Sequence, residues 1–79
     1  MAEEIRLHLS QYGGAAHRDL VLDRIVSTRR AKGKDAEKAR RLALSAFELH
    51  LEPAPESGAC KLFALPLGPD SRRWALERA

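Results

Sequence analysis

Apolar and polar positions alternate along this chain with two different periods. In "AEEIRLHLSQY", residues 2–12, Ala2, Ile5, Leu9 and Tyr12 recur on one face at about 100° per residue. That spacing predicts a helix. Glu3 and Glu4 fall in its first turn, where the helix dipole favours negative charge. Gly13-Gly14 then stops it. In "AHRDLVLDRIVSTRR", residues 16–30, Val21, Leu22, Ile25 and Val26 make a stripe broader than one neighbour needs. A second helix packed between two others is expected there, ending in Arg29 and Arg30.

The third segment, "AEKARRLALSAFELHL" at 36–51, is the strongest helical pattern. Asp35 is the expected N-cap. Ala36, Ala39, Leu42, Ala43, Ala46, Phe47, Leu49 and His50 are expected on the core side. Glu37, Lys38, Arg41, Ser45 and Glu48 are expected on the other. Leu7 and Leu44 fall off the apolar faces and are expected to be partly exposed; Leu51 also falls off the main face. Pro53 and Pro55 forbid continuation.

After the loop "PAPESGA" the period shifts toward two. "CKLFAL", 60–65, and "RRWALER", 72–78, predict two strands joined through "PLGPDS". A short helix begun by Asp70 is the competing reading of the last segment. In the strand reading Arg73, Ala75 and Glu77 face out while Trp74 and Leu76 face in. Trp74 is then a core residue; the alternative is an exposed anchor for a partner.

The fold class that follows is α+β, mainly α: a three-helix core followed by a C-terminal hairpin. At 79 residues the chain fits a single domain. Composition agrees, with 44% hydrophobic and 32% charged residues, a balance that favours a folded chain over a disordered one. No apolar run reaches the roughly 18 residues of a membrane span, and "MAEEIRLHL" lacks the pattern of a signal peptide. With one cysteine, Cys60, no intramolecular disulfide can form. A soluble protein of the reducing cytoplasm is expected.

Charge changes the picture. The net charge is only +3, but it is unevenly placed. Residues 24–41 hold eight basic and two acidic residues; the remainder holds six basic and nine acidic. The densest run is "RRAKGKDAEKARR", residues 29–41, at the junction of the second and third helices. Such a run is either a solvated connection or a surface for an anionic partner. A helix N-terminus already attracts phosphate through its free N–H groups. Lys32, Lys34 and Lys38 strengthen that attraction. Arg41 and Ser45 sit one turn apart on the outward face, with side chains able to bond guanine, other base edges or phosphate. Glu37 and Glu48 on the same face oppose it.

The order helix, helix, helix, hairpin resembles that of the winged helix-turn-helix group. The resemblance spans nearly the whole chain and rests on element order, without a diagnostic motif. It implies that the third helix enters the major groove of DNA and that the hairpin, as a wing, touches the backbone. The connection "RRAKGK" reads as longer and more basic than a tight helix-turn-helix turn. The expected contacts are Lys38, Arg41 and Ser45 in the groove, with Arg29, Arg30, Lys32, Lys34, Arg40, Arg72 and Arg73 on phosphates. The expected function is a small DNA-binding transcriptional regulator acting by occupancy on double-stranded DNA, with a homodimer implied by the resemblance. The alternative is a protein-interaction module of the same shape that binds an acidic partner.

Other chemistry finds little support. His8, His17, His50 and Cys60 are spaced 9, 33 and 10 residues apart, unlike the close ligand pairs of structural zinc sites. Cys60 has no recognisable base partner, and no phosphate-loop pattern is present. No enzymatic activity, metal or cofactor is expected.

Overall fold

The structure is a computed structural model that describes residues 1–77. Its elements are α1 (Ala2–Gln11), β1 (Ala15–His17), α2 (Arg18–Arg29), α3 (Lys34–Leu51), a 3₁₀ turn (Pro55–Ser57), β2 (Phe63–Ala64) and β3 (Arg73–Leu76). The three helices pack on one another, and a small antiparallel sheet of order β1-β3-β2 closes one side. The class is α+β, mainly α.

Strand β1 corrects the expectation of a helix over 16–30. Ala15, Ala16 and His17 pair with Ala75, Trp74 and Arg73 of β3. The helix begins only at Arg18, because His17 caps it. The backbone of His17 is extended at φ −63°, ψ 138°, and its Nδ1 accepts the Asp19 N–H at 3.0 Å. The imidazole thereby supplies the oxygen-like acceptor that Ser or Asp supplies at most N-caps. The Arg18 N–H, left outside the helix ladder, donates to the Arg72 carbonyl at 2.6 Å and ties the helix start to the sheet.

The hairpin forms, with shorter strands than 60–65 and 72–78. Phe63 and Ala64 pair with Leu76 and Ala75. Cys60 and Lys61 precede the strand, and Leu62 turns its N–H to the His50 carbonyl at the end of α3, 2.9 Å away. The expected strand position Arg78 lies outside the described residues. Residues 73–76 are strand, so the helical alternative for that segment does not hold.

The core is aromatic at the sheet and aliphatic between the helices. Phe47 stacks on Trp74 with ring centroids 3.9 Å apart and planes within 7°. Phe63 also stacks on Phe47, at 5.0 Å. Ile5, Leu9, Val21 and Ile25 are fully buried around them. Trp74, at 3% exposure, is a core residue rather than an exposed anchor.

Several sequence expectations are corrected by packing. Ala75, expected to face out, is buried because it sits on the central strand between Ala15 and Ala64. Tyr12 is exposed, since α1 ends at Gln11, and His8 takes the buried place instead. On α3, Leu42 and Leu49, expected on the core side, are exposed at 45% and 47%, while Leu44, partly exposed as expected, and Leu51 pack against the core. The reason is the side on which α2 lies. Arg40 reaches Asp23 of α2 at 2.7 Å, and Leu44 and Leu51 fall on that flank of α3. Leu42 and Leu49 fall on the opposite flank.

Candidate nucleic-acid interface

Helix α2 ends in a Schellman motif. The Arg30 N–H donates to the Ser27 carbonyl and the Ala31 N–H to the Val26 carbonyl, both at 3.1 Å. This geometry puts Arg30 in the left-handed region, at φ 55° and ψ 33°. Gly33 follows at φ 56° and ψ −125°, a conformation that a side chain would oppose. Two reversals so close together turn the chain in residues 30–33 alone. The connection is therefore shorter than "RRAKGK" implied, because Lys34 already belongs to α3. Asp35 is consequently not the N-cap. Gly33 holds that place with no side-chain hydrogen bond, and Asp35 sits in the first turn.

The earlier start of α3 has a consequence for charge. Lys34, Lys38, Arg41 and Ser45 follow at spacings of four, three and four residues. At 3.6 residues per turn they fall within a sector of about 60°. That sector lies opposite the buried Ala39, Ala43 and Phe47. All four residues are exposed, and none makes an ion pair or side-chain hydrogen bond among the described residues. Glu37 and Glu48 flank the sector toward α2; Leu42 and Leu49 flank it on the other side.

The remaining nominated residues divide. Arg30 and Lys32 are exposed in the turn directly before the sector and carry no ion pair among the described residues. Arg29 points elsewhere: its Nε donates to Glu4 Oε2 at 2.8 Å, and its Nη2 makes a second short contact with the same carboxylate. This bidentate pair clips α2 to α1. The Arg29 hydrogen bond holds the Glu4 carboxyl below its ordinary value of 4.5 against the opposing effect of burial, and Glu4 raises Arg29 in turn. Arg40 is likewise engaged, by Asp23. Arg29 and Arg40 therefore serve the packing of α2 on its neighbours, and phosphate would have to compete with a carboxylate for each.

Arg72 and Arg73 stand at the sheet. Arg73 is exposed on β3 in register with His17, and Arg72 immediately precedes it beside the start of α2. Among the described residues no hydrogen bond or ion pair joins them to the α3 sector. Arg24, exposed on α2 and free of ion pairs among the described residues, adds a cation that was counted in the basic run but not nominated. Leu42 and Leu49 were also missed at this face. Their equal spacing on the helix was visible, but periodicity alone placed them in the core.

Other sites are spare. Nδ1 of His50 bonds the Cys60 carbonyl at 2.7 Å, so that nitrogen carries the proton, and the pair anchors the loop to α3. Among the described residues no group of three His, Cys, Asp or Glu side chains is placed to hold a metal ion. Among them also, no helix is long and apolar enough to cross a membrane. No protein-family model matches this chain, and no curated protein or solved structure matches it either.

Proposed function

We propose that this protein binds double-stranded DNA in the winged helix-turn-helix manner, with α3 in the major groove, and acts as a transcriptional regulator by occupancy. The observation that carries the reading is the free sector Lys34, Lys38, Arg41 and Ser45, set opposite the core and directly after a turn bearing Arg30 and Lys32. Unpaired cations at a helix start add to the attraction that the N-terminal N–H groups already exert on phosphate. The four-residue turn with Gly33 supports the reading too, since helix-turn-helix pairs are joined by three or four residues, often with glycine. So does Arg30. A left-handed arginine costs about 1 kcal/mol that glycine would not, and such strain collects at functional positions. A reducing cytoplasm suits the single exposed thiol of Cys60.

In this reading Lys38, Arg41 and Ser45 meet base edges and nearby phosphates. Arg30, Lys32 and Lys34 grip phosphates at the helix start, and Arg72 and Arg73 approach the backbone from the hairpin. Phosphate contacts position the protein, and base contacts give it preference.

The test is binding of mixed-sequence duplex at about 50 and 200 mM salt. Four to six phosphate contacts give a slope of log affinity on log salt of roughly −4 to −5. The double substitution Lys38→Ala/Arg41→Ala should flatten it. No binding at the lower salt, or a slope near zero, would end this reading.

A second reading is favoured by one observation. Leu42 and Leu49 present apolar surface beside the basic sector, as an anchor for an acidic protein partner would. Leu42→Ala would then abolish partner binding, and salt would matter less.

A further inference from the structure

We infer that Leu42, with Leu49, gives this protein a preference for thymine by packing on thymine methyl groups in the major groove. This rests on the DNA-binding reading above and assigns the part of α3 that the cations leave unexplained.

Both leucines are nearly half exposed. The core takes Ala39, Ala43 and Phe47, and the flank toward α2 takes Leu44 and Leu51. Leu42 and Leu49 lie seven residues apart on the remaining flank, about 10 Å along the axis, which is roughly three base steps. They border Lys38 and Ser45 on the face that would enter the groove.

Charge decides which flank of α3 meets the bases. Glu37 and Glu48 occupy the other flank without an ion pair among the described residues. Phosphates repel those carboxylates. Rotating α3 to carry them away from the backbone turns Leu42 and Leu49 toward the base edges. Most groups exposed on the floor of that groove are hydrogen-bond donors or acceptors; the thymine C5-methyl is its largest apolar feature, where cytosine carries only a C5 hydrogen. A leucine delivered there has one chemical partner that rewards it. Against guanine or cytosine it would cover polar atoms without satisfying them.

The probe is an alternating adenine–thymine duplex and its counterpart with uracil in place of every thymine. The two share phosphates, minor-groove atoms and pairing, and differ in the methyl groups. Wild-type protein should bind the uracil duplex about fourfold more weakly for each methyl covered. Leu42→Ala should lose most of that ratio while keeping its helical circular dichroism. Arg41→Ala should weaken both duplexes alike and keep the ratio. Equal affinity of the wild type for the two duplexes overturns this inference and leaves the DNA-binding reading intact. Binding to neither at about 50 mM salt overturns both. A ratio unchanged by both Leu42→Ala and Leu49→Ala, or concentration-dependent self-association of the wild type that Leu42→Ala removes, gives the leucines another role and also overturns it.

Discussion

On one side of α3, Phe47 lies 3.9 Å from Trp74 and 5.0 Å from Phe63, in a stack that joins helix to sheet. On the opposite side, Lys34, Lys38, Arg41 and Ser45 form no ion pair or side-chain hydrogen bond among the described residues. The same contrast recurs at the helix ends. Helices α1 and α2 both close with the Schellman pattern, and Gly14 N–H donates to Leu9 as Ala31 N–H does to Val26. The left-handed position is Gly13 in one and Arg30 in the other. Where only the fold is served, the residue suits the backbone. Where the basic turn begins, a charged side chain stands in a conformation that glycine adopts more easily. The first region holds the molecule together, and the second is spent on the surface it presents. In a domain of this size stability is small, so stability and binding must be measured together to tell the two regions apart.

The largest separation is expected at Trp74. Trp74→Ala removes the nearer stacking partner of Phe47 and should cost about 3–5 kcal/mol, a large fraction of the stability of so small a domain. Urea unfolding measures it; a loss under 1 kcal/mol would mean that the aromatic stack is not what holds the sheet. The complementary change, Lys38→Ala/Arg41→Ala, should leave the unfolding midpoint within about 0.5 kcal/mol and lower the magnitude of the salt slope of DNA binding by about 2. Destabilisation comparable to that of Trp74→Ala would place these side chains in the packing and erase the contrast.

Arg30→Gly tests both regions in one residue. It should raise stability by about 1 kcal/mol, because the left-handed backbone no longer meets a side chain. The same change should weaken DNA binding and reduce the slope by about 0.9. More stability with unchanged binding would show that the arginine has no part in the interface.

The smallest effect concerns the clip between α1 and α2. Glu4 is held below its ordinary value of 4.5 by Arg29, so the pair stabilises the fold above that value. The contribution fades as pH falls through the lowered carboxyl value. With both side chains about a third exposed, the pair is worth less than about 1 kcal/mol. Thermal unfolding followed from pH 7 downward should show a shallow loss confined to acid, with Glu4→Gln lacking that part of it. A loss of the same size in Glu4→Gln would assign the acid sensitivity to other carboxylates.

Much of this was readable in the residue order. The three helices are present where the 3.6-residue period placed them, within a few residues at their ends. The hairpin stands over part of 60–65 and 72–78, with Trp74 turned inward. Lys38, Arg41 and Ser45 share the outward face of α3 as their spacing required. Strand β1 was not readable. Ala15 and Ala16 favour a helix, and only the ladder with β3 makes them extended. Nor was the division of cations. Arg29 and Arg40 look like Arg30 and Arg41 in sequence, yet carboxylates 25 and 17 residues away claim them.

The chain alone settles what depends on neighbours in sequence: which stretches can be helical, where proline and glycine stop them, and how charge is distributed. These follow from backbone sterics and from side-chain periods of a few residues. Tertiary structure decides which of several leucines is left uncovered, which arginine is already neutralised, and whether a pair of alanines becomes a strand. Each of those outcomes is set by a partner distant in sequence. A helical period identifies an apolar flank, but only the position of α2 determines that Leu44 packs against the core and Leu42 does not.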